Sequence, residues 1–252
     1  MMAGFQDHCA ELAPLETVDH MAFVAGDGVS QSVCDFVLAL AVVYNDCRDL
    51  IYAHVLLEQS RPKGEPQPTR LWGTYSGIEF HLLKLQGALV HELFNLIGGN
   101  KTALNDDFFR SVVKQLPRAA RDAWSVVVDA ALGGKPADSF GRSLLFLRNK
   151  VSFHYDCREI FRGYRSHFDG KDDMHGRAFL SRGRNMSESR FYFADAAVDG
   201  YLRRTPRGED WEDMRRDLGE MLDRLNLALW HLVLAFVQKR GFAYREFGEQ
   251  VV

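Results

Sequence analysis

A chain of 252 residues with 46% apolar and 26% charged residues can bury one large core, a balance that excludes a disordered or low-complexity protein. Its formal net charge of −3 excludes a uniformly basic coat for nucleic acid but leaves room for a local basic face. The four cysteines, Cys9, Cys34, Cys47 and Cys157, form no Cys-x-x-Cys pair and lack zinc-site spacing, which predicts reduced thiols in an intracellular protein.

The N-terminal stretch carries Asp7 and Glu11 where a signal peptide would have an apolar core. Residues 1–29 predict a short helix and a turn at Gly26-Asp27-Gly28. From Ser30 to Gln59, Val33, Val37, Leu40, Tyr44, Cys47 and Ile51 recur every three or four residues, the mark of one apolar helix face, with Ser30 as N-cap. The longest apolar run, Phe36–Tyr44, is too short to cross a bilayer, so no membrane partner is expected and the expected address is cytoplasmic. Pro62, Gly64, Pro66 and Pro68 end this helix in an exposed connection.

Leu71, Tyr75, Ile78, Leu82, Leu85, Leu89, Leu93 and Leu96 predict a second long helix, closed by a left-handed turn at Gly98-Gly99-Asn100. A shorter helix is predicted over Asp106–Leu116, and another to Leu132 with Pro117 in its first turn. Gly133-Gly134-Lys135-Pro136 is a turn. Asp138 or Ser139 then caps a helix with the stripe Phe140, Leu144, Leu147 and Val151. The period continues through Cys157, Phe161, Tyr164 and Phe168, as one helix or as two broken near Ser152.

Residues 169–208 lose the helical period; Arg177–Arg182 and Arg190–Ala194 read as two short strands of a hairpin around Gly183-Arg184-Asn185. Trp211, Met214, Leu218, Met221, Leu225, Leu232 and Phe236 predict a last long helix ended by Gly241. The expected fold is all-α: one domain over residues 1–252, a bundle of long antiparallel helices with an irregular insertion at 169–208.

Positive charge is concentrated in one part of the chain. Residues 142–207 hold 14 Lys and Arg against 8 Asp and Glu, while the remainder holds 17 against 26. Arg158, Arg162, Arg165, Arg182, Arg184 and Arg190 suit a phosphate backbone, and Phe191, Tyr192 and Phe193 beside them suit stacking with unpaired RNA bases. The alternative is a solvated loop in which these arginines pair with Asp169, Asp172, Asp173 and Glu188.

The chemistry-bearing stretch is Leu147-Arg148-Asn149-Lys150-Val151-Ser152-Phe153-His154-Tyr155. RNA carries its own nucleophile, the ribose 2′-OH. A histidine near neutral pKa can take its proton, and an arginine fork can hold the phosphate on which charge builds. Six residues turn a helix by about 600°, so Arg148 and His154 would lie about 120° apart and about 9 Å along one straight helix. A break in the helix, or a second copy across a two-fold axis, is needed to bring such groups together. The structural alternative is a hydrogen-bonded core histidine on the stripe of Leu147 and Val151, with Arg148 paired to an acid.

Arg148, the polar Asn149 and His154, with five residues between Arg and His, resemble the signature of the HEPN superfamily, the higher eukaryotes and prokaryotes nucleotide-binding domains. The resemblance implies a compact helical bundle that dimerises with the motif at its interface. It implies a metal-independent endoribonuclease with no cofactor, of a kind found in toxin–antitoxin and phage-defence systems. Members without activity serve as nucleotide-, RNA- or protein-binding modules. Carried onto this chain, His154 would move protons, Arg148 would hold phosphate and Asn149 would position them. Lys150, Tyr155, Arg158 and Arg162 would bind substrate. The partners expected on this reading are RNA, a second copy of the chain, and an antitoxin or regulatory protein.

Other constellations are weaker. His54 and Glu58 share a helix face and would suit half of a metal site, but a buried structural histidine is the stronger expectation. His81 and His91 share no narrow face. Gly133-Gly134-Lys135 lacks the spacing of a P-loop. Cys157 near His154 lacks a third group to orient a nucleophile pair.

Overall fold

The computed structural model describes residues 16–66, 69–133, 157–171, 177–182, 189–202, 211–243 and 245–246. Eight α-helices run through them: α1 (Gln31–Gln59), α2 (Arg70–Gly99), α3 (Lys101–Asn105), α4 (Asp107–Gln115), α5 (Arg118–Leu132), α6 (Cys157–Phe168), α7 (Tyr192–Leu202) and α8 (Trp211–Lys239). Two-residue strands β1 (Glu16–Thr17) and β2 (Arg245–Glu246) pair antiparallel. The fold is an all-α bundle of long antiparallel helices.

The core lies where α1, α2, α5 and α8 pack, with α4 against α8. The predicted stripe of α1 is the buried one: Val33, Val37, Leu40 and Cys47 are fully enclosed. On α8, Leu218, Met221, Leu225, Leu232 and Phe236 are likewise buried. Phe236 joins the helices through its ring, which lies 5.9 Å from the rings of both Phe23 and Phe108. The helix closes as predicted at Gly241, whose φ of +80° lets its N–H reach the Gln238 carbonyl while Phe242 N–H reaches Val237.

Several expectations need correction. Before α1, the turn at Gly26-Asp27-Gly28 is present as expected, and the short helix is of the 3-10 type, His20–Phe23, with the Asp19 carboxylate accepting from Met21 N–H. Ser30 occupies the N-cap of α1 but makes no side-chain capping bond; its Oγ lies 3.0 Å from Ser32 Oγ. Pro117 sits at the N-cap of α5, just outside its first turn. On α2, Leu71 and Ile78 are exposed, whereas Trp72, Leu83 and Val90, outside the predicted stripe, are buried, because α2 has neighbours on more than one side and its buried face is broader than a single stripe. No left-handed turn closes α2: Asn100 has φ −112° and leads directly into α3, its side chain donating to the Leu96 carbonyl. The expected hairpin is reduced to one bridge, Ser181 with Arg190, plus Phe193 N–H donating to the Phe179 carbonyl. The second expected strand turns into α7 at Tyr192. The helix predicted from Asp138 or Ser139 to Val151 lies outside the described residues.

Candidate functional site

Of the residues singled out for catalysis and substrate, Arg148, Asn149, Lys150, His154 and Tyr155 lie outside the described residues. Arg158 and Arg162 are on α6, one turn apart and both exposed. From this first half of α6 the helix runs against α7. The two helices cross closely. A Cβ on Gly200 of α7 would stand 2.3 Å from the Gly163 carbonyl oxygen of α6 and 2.9 Å from His167 Cβ, so only glycine fits.

The C-terminal end of α6 opens onto a cavity of about 330 Å³ between α2, α7 and residues 177–180. Trp72, Phe168, Phe179, Tyr192 and Phe193 supply aromatic walls, and Arg70 and Arg177 supply cations. His167 also faces it, with Nδ1 3.5 Å from Asp199 Oδ2 of α7. Aromatic walls hold a planar ring, and guanidinium groups beside them hold an anion in a fixed fork. The cavity therefore combines the features that recognise a base with its phosphate.

Small residues on α2 make this arrangement possible. A Cβ on Gly73 would lie 2.6 Å from the Tyr192 ring, and one on Gly77 would lie 1.8 Å from an Arg190 Nη. The Tyr192 hydroxyl lies 3.4 Å from Thr74 Oγ1 and 3.4 Å from the Arg70 carbonyl oxygen. Arg190 donates to Asp195 Oδ2 at 2.8 Å, so it serves as a latch between α2 and α7. Burial, with Lys84 and Arg190 close by, pushes the His81 pKa below its ordinary value. Burial also lowers the Lys84 pKa.

Two arginines expected to meet phosphate are thus held by acids of the chain: Arg190 by Asp195, and Arg165 by Asp169 at 2.7 Å. Arg70, Trp72, His167, Arg177 and Asp199 escaped the sequence reading. His167 and Phe168 end an apolar stripe, and nothing linear links them to Trp72 or Asp199. The one usable signal was the Gly73–Gly77 spacing, which marks a helix face open to close approach.

His54 is half-buried on α1, one turn before Glu58. His54 Nε2 is 4.0 Å from Glu58 Oε1, and that oxygen accepts from the Tyr75 hydroxyl. Glu79 nearby pairs with Arg215 of α8 at 2.7 Å. Among the described residues, no three His, Cys, Asp or Glu side chains gather closely enough to hold a metal ion. Cys34 and Cys47 are buried thiols; burial, with Asp223 close by, pushes Cys47 up to about 12. Cys157 is exposed. Among the described residues no helix is long and apolar enough to cross a membrane. No protein-family model matches the chain, and comparison with curated proteins and with solved structures returns no match.

Proposed function

We propose that this protein binds unpaired RNA and cleaves it without a metal, as its Arg148-Asn149-x4-His154 stretch and HEPN-like resemblance imply. One observation supports the reading above others: the aromatic, arginine-flanked cavity lies at the end of α6, the helix that follows the Arg-Asn-His stretch in the chain. A base seated between Tyr192 and Phe168 would bring its strand alongside a basic segment. In the reaction, the 2′ oxygen bonds to the adjacent phosphorus and its proton passes to His154. The P–O5′ bond breaks, the 5′ oxygen takes up a proton, and a cyclic phosphate end remains. Arg148 steadies the charge on the phosphate and Asn149 positions the pair. A second copy of the chain supplies the geometry that one straight helix does not.

A non-catalytic nucleotide-, RNA- or protein-binding module is the second reading. It is supported by the same cavity, whose aromatic and arginine groups need no chemistry to hold a ligand. Incubating wild type, Arg148→Ala and His154→Ala with mixed-sequence RNA in excess chelator separates the two. Cleavage by wild type alone, with cyclic phosphate ends, is the outcome expected of the enzyme. RNA retention without cleavage by all three identifies the binding module. Cleavage that chelator abolishes rules out the metal-free route. In a toxin–antitoxin or phage-defence setting, expression of wild type arrests growth and His154→Ala relieves the arrest.

A further inference from the structure

On the side of the bundle formed by α3, α4 and α5, an apolar groove of about 610 Å³ lies open. Its floor is aliphatic: Leu104, Val113, Val128 and Leu132 line it, over the buried rings of Phe109 and Trp124. Those rings are 1% and 4% exposed, so they offer no face on which a base could stack. The rim is cationic: Lys101, Arg110, Lys114 and Arg121 surround the floor, and Asp129 is the one acid among the lining residues. Four cations around an apolar trough, on a chain of net charge −3, suit an amphipathic helix whose apolar ridge is flanked by acids.

The same chain presents such a helix. The outward face of α1 carries Leu38 and Val42, which are 47% and 54% exposed although large and aliphatic. Asp35, Asp46 and Asp49 stand on the same face, all exposed. At 100° per residue, these five positions fall within about 80° of helix circumference, so they form one ridge. From Asp35 to Asp49 the ridge is about 21 Å long, and α5, the longest wall of the groove, is about 22 Å long. The ridge is complementary to the groove in charge, in apolar character and in length.

We infer that the acidic ridge of α1 docks in the cationic groove of α3, α4 and α5 on a second copy of the chain. This contact is separate from the Arg148–His154 stretch and stands independently of the RNA reading. Ridge and groove are different patches, so a single, unreciprocated contact runs head to tail. Two chains that exchange ridges close the assembly, and chains that do not exchange extend it.

Charge reversal in two halves tests the contact. One variant carries Asp35→Arg and Asp46→Arg on the ridge; the other carries Arg110→Glu and Lys114→Glu in the groove. All four positions are exposed, and circular dichroism and thermal melting confirm that each variant keeps the fold. In sedimentation velocity at low salt and about 100 µM chain, the wild type is expected to self-associate, and to dissociate as salt approaches about 0.5 M. Each variant alone loses this salt-sensitive step, with association at least tenfold weaker, and sediments as the smaller species that the wild type gives at high salt. An equimolar mixture of the two recovers the wild-type species, because the reversed ridge meets the reversed groove and the two native halves meet each other. A wild type that stays monomeric overturns the inference and leaves the groove to an acidic segment of another protein. Salt-sensitive association that ignores both reversals, or a mixture that stays at the size of the separate variants, overturns it equally.

Discussion

In the bundle, Leu225, Leu229, Leu232 and Phe236 of α8 expose none of their surface, whereas Phe161 and Phe191 on the α6–α7 flank expose 61% and 63% of theirs. The bundle is held by burial, which is non-directional and accumulates along each helix face. The flank is held by particular contacts: the Gly163–Gly200 crossing, the Arg190 latch on Asp195, and Tyr192 seated on Gly73. A region built in this second way can leave aromatic and charged groups uncovered. The candidate cavity therefore lies on the flank, and the core serves as its rigid support.

The largest effect should come from the core. Phe236→Ala removes a fully buried ring that meets Phe23 and Phe108, and should cost about 3–5 kcal/mol in urea unfolding. A loss under about 1 kcal/mol would mean that the bundle is not the cooperative unit described. Next, Gly200→Ala drives a methyl into the backbone of α6 and should cost about 1–3 kcal/mol, felt at the flank. Amide exchange should rise in α6 and α7 and stay unchanged in α8. Uniform exchange across both would erase the distinction between the two regions.

Tyr192→Leu keeps an apolar side chain and removes a ring from the cavity. RNA affinity should fall about tenfold, within the range for loss of one stacked base, with circular dichroism confirming that the helices are retained. Equal binding by the two proteins would remove the cavity from the RNA-binding surface. The smallest effect concerns His81, whose pKa is lowered from 6.5 by burial and then by Lys84 and Arg190. The unfolded chain then binds more protons than the folded one, so this contribution to stability is present above pH 6.5 and is lost as pH falls through the lower folded value. His81 is exposed, so solvent screening keeps the effect small. His81→Gln should flatten the acid limb of the melting-temperature profile by no more than about 2 °C. An unchanged acid limb would show that neither burial nor the neighbouring cations act on this imidazole.

Much of the helical frame was legible because burial repeats with the helix. Val33, Val37, Leu40 and Cys47 of the α1 stripe and Leu218, Met221, Leu225, Leu232 and Phe236 of the α8 stripe are enclosed. The Gly241 stop was legible too, with a positive φ that the sequence anticipates. Periodicity faltered as a guide where one element meets neighbours on several sides. Leu71 and Ile78 fit the period of α2, yet stand exposed, while Trp72 turns inward to the cavity. It faltered again at Arg190–Ala194, whose aromatic run looks like a strand. After one bridge the chain turns helical and packs on α2 and α6.

By itself the sequence determined the helices α1, α2, α4, α5, α6 and α8, and the residue types available for phosphate and proton chemistry. These follow from backbone preference and from the spacing of apolar side chains, both local properties of the chain. Only the tertiary structure decided which polar groups meet. It set His167 against Asp199, gave Arg165 and Arg190 to acids, and walled the cavity with rings from α2, α6, α7 and residues 177–180. Such meetings depend on where helices cross, which here turns on glycines that let backbones approach, and no periodicity along one helix encodes its partner on another.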